Sequence, residues 1–384
     1  MRDFVWPSRA PIFSRRPAPP GPHRRNRPQS DFRRVRPQWF LIKLMVLLGL
    51  LLVCSYGVLS TTPAMKFACA SLLAAAPLSC AAESWAKHSR RQSLAYLLLA
   101  LLGLWFCRLA PTFACQFGIG VMLAHGTQLA HQALHKSGTG RKAFDTPIGL
   151  LLCGVTGVSF HYYRWSHLRH HKHNGTERDR ESFAYGYSLL ESPSRWRRCL
   201  GLLLHLSMAA HYAVVARRVG LAMSGRLAKN LLRQHPDMPR QTAYDIESET
   251  RWQVGLLLVV LVASIVIPHD LLIRLWLVPM LFGWGPAQSL IESTEHWHCD
   301  LPSSNVFLNT RSLLAGRFAQ WITNYNNCHV GHHHDMSVPV EMLPAFERLI
   351  SQTNPLRHWE DSYPAFYRRF LRHVWYGPVA DRVR

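Results

Sequence analysis

The sequence predicts an all-α integral membrane protein, with about six membrane segments paired into three helical hairpins that open to the cytoplasm beneath a cytoplasmic helical cap. Three observations predict it. Six apolar blocks run roughly over residues 39–59, 64–82, 94–110, 113–131, 252–267 and 271–291. Lys and Arg gather in the connections on one side of those blocks. Clusters of histidine fall in the long polar stretches on that same side.

The blocks are judged by length. A helix needs roughly 20 residues to cross a bilayer, and about 17 suffice; the fifth block is on the short side. Orientation follows from Lys and Arg, which are held on the cytoplasmic side. The stretch before the first block is Arg-rich. The connection between blocks two and three carries Lys87, Arg90 and Arg91, and that after block four carries Lys136, Arg141 and Lys142. The outer turns near residues 61–63, 110–111 and 268–270 carry almost none. Each hairpin is therefore expected to start and end in the cytoplasm, with the polar regions 136–251 and 292–384 on that one side.

The chain divides accordingly. Residues 1–37, rich in Arg, Pro and Gly, read as a disordered basic cytoplasmic tail. The tail is no secretory signal, because the apolar run after it is long and no small-residue cleavage site closes it. Residues 38–92 form an N-terminal membrane hairpin, 93–344 the main domain, and 345–384 a basic, aromatic C-terminal cytoplasmic segment suited to headgroups. Two shorter apolar stretches, 148–160 and 200–216, lie in the interface or cover the site. The polar connector 225–250 carries no readable pattern.

The formal net charge is +22, with 44 Lys and Arg. Such a balance fits nucleic acid, anionic lipid or cytoplasmic membrane loops. No zinc-finger spacing or RNA-binding signature is present, and the apolar blocks favour lipid, so nucleic acid is excluded as a partner. The nine Cys are odd in number, irregular in spacing and mostly inside apolar stretches, which argues against a disulfide framework.

Histidine is the abnormal residue: the chain has 22, as many as Asp and Glu together. Three boxes stand out: His131 with His135, then His167, His170 and His171, then His329, His332 and His333. Residues at i, i+3 and i+4 share a helix face, so each box aims two or three imidazoles at one point. Imidazole binds iron, copper or zinc, and nitrogen ligands without thiolate favour a redox metal over a structural zinc. Eight box histidines and one more suit two metals. His296, directly after the sixth block, is the ninth candidate, and His298 is its rival. His23, His88, His205, His211 and His235 read as surface or packing residues. His125 reads as a packing or supporting group.

The box order H-x-x-x-H, H-x-x-H-H, H-x-x-H-H resembles that of the membrane fatty acid desaturase superfamily. Flanking residues add to the resemblance: Trp165, Asn174 and Gly175, the acidic pair Glu177 and Asp179, the run Thr294, Glu295 and His296, then Asn309 to Arg311, Asn326, Val338 and Pro339. The resemblance implies that His131, His135, His167, His170, His171, His296, His329, His332 and His333 bind two irons. It also implies that Asn326 orients a ligand or a water beside them. Three positions depart from the family pattern: Gly331 stands where an acidic residue is frequent, Cys328 where an aromatic is common, and His334 extends the final pair.

The resemblance implies an O2-dependent oxidoreductase that inserts a double bond into an acyl or lipid chain. Unactivated C–H bonds need an oxidant that no side chain supplies. The sequence holds no H-P-G-G haem motif, no iron–sulfur cysteine set and no G-x-G-x-x-G, so the electrons are expected from a separate ferredoxin or cytochrome with its reductase. Hydroxylation or ketolation of an acyl chain, sphingoid base, alkane or carotenoid is the neighbouring alternative; flanking resemblance favours desaturation. A metal transporter is a distant alternative, since the apolar blocks hold no Asp and little else polar. The scarcity of acidic residues and the lack of an organelle signal point to a bacterial inner membrane.

Overall fold

A computed structural model describes residues 32–86, 90–176, 179, 187–266, 270–300 and 303–377. Most of the expected N-terminal tail, Lys87, His88, Glu177 and turn residues 268–269 lie outside the described residues.

Prolines open the first segments. Helix α1 (Pro37–Leu59) begins on Pro37, and α2 (Pro63–Ser71) on Pro63. At the first helical turn the missing N–H would be unpaired in any case. The second segment continues through a 3-10 turn at Leu72–Ala74 into α3 (Ala75–Ala86). Pro77 explains that tightening, because it cannot donate to the carbonyl four residues back, at Leu73. Helix α4 (Arg90–Leu109) leads to α5 (Pro111–Leu134), which again starts on a proline.

Then come α6 (Lys142–Gly154), α7 (Phe160–His173), α8 (Tyr187–Leu190) and α9 (Arg195–Leu206). The short apolar stretch at 200–216 forms the end of α9 and the start of α10 (Ala209–Met223), a pair bent by 54° and together apolar enough for one broken span. The bend falls at Met208, whose φ of 52° is left-handed. The unread connector is helical: α11 (Leu227–Gln234) and the polar half of α12 (Arg240–Val266).

The sixth block is helical from residue 271, with π turns at Ile273–Leu277 and Met280–Trp284 before α13 (Gly285–His296). The C-terminal region adds α14 (Val306–Asn309), α15 (Arg317–Ile322), α16 (His329–His334), α17 (Leu343–Ile350) and α18 (Tyr363–Tyr376). Among the described residues the fold is helical apart from one parallel ladder, β1 (Arg311–Leu313) on β2 (His358–Glu360), with Arg311 opposite His358.

Among the described residues helices run through each of the six apolar blocks, yet three stretches are long and apolar enough to cross a membrane by themselves: Pro37–Leu59, Pro63–Glu83 and Arg240–Val266. Their outer faces show Leu48, Leu52, Leu256, Val259 and Ile265, as lipid-facing helices should. Helix α5 has ample length but falls short in apolarity, because Gln116, His125, Gln128, His131 and Gln132 interrupt it. All five are buried, so α5 turns its polar groups into the bundle.

Helix α5 is the centre of the fold, packed against α1, α2, α6 and α13. Its approach to the second π turn depends on glycine. A Cβ on Gly120 would lie 2.5 Å from both Gly283 Cα and Trp284 N, and one on Gly283 would lie 2.7 Å from Gly120 Cα. Small residues let backbones meet this closely where lipid supplies no hydrophobic drive. Lys43 ties α1 to the same centre: its buried Nζ donates to Gln132 Oε1 (2.8 Å), Asn324 Oδ1 (2.5 Å) and Glu341 Oε1 (2.6 Å).

Gly120→Ala must push two backbones apart and should cost at least about 1–3 kcal/mol. Gly103→Ala, where an added Cβ meets nothing within 4 Å, should be neutral or slightly stabilising. Thermal unfolding of both variants in detergent checks the pair, and equal melting points would contradict the packing argument.

Candidate metal centre

The three boxes ride on different elements that end at one place. His131 lies in the last turn of α5 and His135 is its C-cap residue. His167, His170 and His171 lie on α7, and His329, His332 and His333 on the short α16. His296 is the last residue of α13.

All nine are brought together, in two groups. His131, His135, His167, His171 and His332 form the first, and His170, His296, His329 and His333 the second; within each, the ligand atoms lie within 4.8 Å of one another. In the first, Nε2 atoms approach at 2.7 Å (His131–His167), 3.0 Å (His171–His167) and 3.0 Å (His171–His332). In the second, His296 Nε2 lies 3.2 Å from the Nε2 atoms of His170 and His329. The expectation that each box converges on one point is corrected here, since boxes two and three each serve both groups. The reason is helix geometry. Residues four apart are offset by about 40° and stay together, whereas the extra residue of each box is turned by about 100° from its neighbour.

Several imidazoles are oriented from behind. His170 Nδ1 pairs with Asp179 Oδ2 at 2.9 Å, His296 Nδ1 with the Asn309 carbonyl at 2.9 Å, and His329 Nδ1 with Asn326 Oδ1 at 2.8 Å. The Asn326 amide also donates to Glu295 Oε1. Such partners fix which ring nitrogen keeps its proton and leave the other lone pair facing inward.

Two buried glutamates hold the box helices, and sequence reasoning missed both. Glu249 of α12 accepts from Ser159 Oγ (2.6 Å) and from the Phe160 and His161 amides (2.6 and 3.2 Å), capping the start of α7. Glu347 of α17 accepts from Gly331 N (3.0 Å) and Ser312 Oγ (2.6 Å), anchoring α16. A side-chain carboxyl oxygen at a helix start accepts from the free amides there. A Cβ on Gly331 would lie 3.3 Å from Glu347 Cβ, so the departure from an acidic residue there coincides with a carboxylate supplied by another helix. Neither glutamate has a local sequence signal; Ser159, the α7 N-cap, was the one visible hint.

The rival His298 does not join. It sits past the end of α13 with φ 55°, and its Nε2 lies 2.7 Å from Glu191 Oε1 in a separate group with His373. Burial raises the Glu191 carboxyl, but hydrogen bonds with His298 and His373 outweigh it and bring it down to about 2. His125 stacks on Trp321 at 4.4 Å, with Nδ1 on the Ile322 carbonyl, which is the packing role expected. His205 and His211 are buried against Ser293 and the Thr156 carbonyl, and His334 is exposed beside Phe307.

The donor set fits a pair of metal ions. Burial, then neighbouring histidines, hold His167, His332 and His333 well below the usual imidazole range, so these rings are neutral. Neutral rings offer lone pairs, and several gathered at one point in a dry interior are the donor set a metal ion takes. His333 Nε2 is buried with no hydrogen-bond partner. A cavity of about 740 Å³ is lined by Leu290 and Ile291 of α13, which ends at His296, and by Tyr96, Phe318, Ile322 and Tyr363 among others.

The chain matches the fatty acid desaturase family over residues 99–365, and it belongs to that family. No curated protein matches the chain in sequence. Family and apolar helices together make it a membrane protein of the desaturase-type oxidoreductase class.

Burial raises the Glu347 carboxyl from 4.5 to about 7 despite its hydrogen bonds with Ser312 and Gly331. A raised acid is favoured neutral in the fold, so stability should fall as pH rises from about 4.5 and level off above about 7, a loss of about 3 kcal/mol. Glu347→Gln should remove that dependence. Melting curves between pH 5 and 8 check it, and parallel curves for both proteins would contradict the assignment.

Proposed function

We propose that this chain is a membrane di-iron desaturase that inserts a double bond into an acyl or lipid chain. The five-and-four convergence of nine histidines, inside a chain of the desaturase family, carries the reading. On it, His131, His135, His167, His171 and His332 hold one iron, and His170, His296, His329 and His333 the other. O2 is co-substrate, and a separate ferredoxin or cytochrome with its reductase supplies two electrons. The overall reaction balances as a saturated two-carbon unit, O2, two electrons and two protons giving an alkene and two waters.

Bound irons would supply the oxygen-derived oxidant that an unactivated C–H bond requires. The chain's own residues do the rest. Asp179 keeps the proton of His170 on Nδ1, the Asn309 carbonyl does so for His296 and Asn326 for His329, so each Nε2 lone pair stays inward. Glu249 and Glu347 keep the box helices in register. The cavity beside α13, with Leu290, Ile291, Phe318 and Ile322 in its wall, is of a size to take part of an alkyl chain.

The remaining assignments belong to the same proposal. Residues 93–344 form the desaturase-like unit, preceded by a hairpin at 38–92 and a basic tail at 1–37 and followed by the segment 345–384. The histidines face the cytoplasm, in agreement with the Lys and Arg bias.

Accurate-mass lipid profiling of cells expressing wild type or His332→Ala tests the function. Species lighter by two hydrogens should appear with wild type alone, and the variant should lose product by more than about 100-fold, beyond the loss expected of an outer partner, with reduced iron and intact membrane insertion. Species heavier by one oxygen would make the chain a hydroxylase. Full activity in His332→Ala would sink the di-iron assignment.

A further inference from the structure

The two groups of histidines are unequal, five against four. Resting on the di-iron reading above, we propose that the Glu295 carboxylate is a further donor, completing the four-histidine group and making its ion electronically unlike the other.

Glu295 Oε2 lies 3.5 Å from His329 Nε2. That is beyond an ordinary N–H···O hydrogen bond of about 2.7–3.2 Å. It falls within the roughly 3.0–3.6 Å that separates neighbouring donors, each about 2.1 Å from one five-coordinate ion. The carboxylate is aimed from behind: Asn326 donates its amide N–H to Glu295 Oε1 and accepts from His329 Nδ1 at 2.8 Å. One amide therefore sets the direction of both groups.

Among the described residues no Lys or Arg pairs with Glu295, so a metal ion is the cation open to it. A buried carboxylate without a cation is costly. A divalent ion held by His170, His296, His329 and His333 would neutralise it. Mixed imidazole and carboxylate donors are a set that non-haem iron accepts. An anionic oxygen on one ion alone would favour its oxidised state, so the two sites would differ even though histidine dominates both.

The competing role is simple positioning, in which a neutral Glu295 steadies Asn326. Glu295→Gln separates the two, because glutamine keeps an oxygen for Asn326 and nearly the same shape but brings no charge. The full-length protein, purified in detergent and loaded with Mössbauer-active iron, should hold two irons per chain in two unequal quadrupole doublets. In Glu295→Gln the iron content should fall toward one, or the doublets should converge, while Glu295→Asp recovers part of the difference. Glu292→Gln is the folding and charge control and should keep both irons and the wild-type spectrum. A Glu295→Gln protein with two irons and an unchanged spectrum overturns the proposal. Wild-type protein that binds no iron would instead sink the di-iron reading, and this proposal with it.

Discussion

Nine imidazoles gathered into two buried groups are the constraint that organises this molecule. In a dry interior, facing lone pairs repel unless a cation lies among them, and the Nε2 approaches of 2.7–3.2 Å leave little room for anything else. The surrounding protein answers with buried acids at the rear. Asp179 acts on a ring, while Glu249 and Glu347 act on whole helices through their amides. Helix α16 has six residues, too few to be stable alone. Its direction therefore comes from Glu347 and from packing against α17, and its histidines inherit that direction.

The membrane part is built around the same demand. Outer helices present leucine and valine to lipid, while α5 keeps glutamine, histidine and glycine for the interior. Glycine at 120 and 283 brings α13's segment against α5, which puts His131 and His296 at the same end of the bundle. Lys43 connects α1, which precedes the family-matched residues 99–365, to Gln132 beside His131 and to Asn324 and Glu341. Its cationic head, buried among three acceptors, makes the first helix a structural part of the site's frame.

Much of this was legible in the sequence, and the limits have physical causes. The boxes could be read because their spacing is local and their chemistry is rare, His296 because it directly follows the sixth block, and Asn326 through the family resemblance. The division of boxes two and three between two groups could have been read from the difference between i+3 and i+4, but a face-level argument blurs it. Glu249 and Glu347 could not be read, because each acts on an amide far along the chain and sits among unremarkable polar residues. The connector at 225–250 looked patternless for the same reason: Glu247 and Glu249, which break its apolar period, are buried caps for α11 and α7. Hydropathy likewise undervalues α5, since it counts buried glutamine and histidine as if they faced lipid.

The position of α13 links chemistry to depth. Leu290 and Ile291 line the apolar cavity, and His296 lies five residues further along the same helix. At 1.5 Å per residue the cavity wall and the second group of histidines are about 7–9 Å apart along the axis. A rigid helix sets that distance, and neither a loop nor a domain movement is needed to define it. The π turns at Ile273–Leu277 and Met280–Trp284 lie upstream of this stretch, so the irregularity they introduce is spent before the cavity begins and α13 runs as regular helix from Gly285 to His296. The spacing between the cavity wall and His296 is thus set by the regular helix of α13 alone.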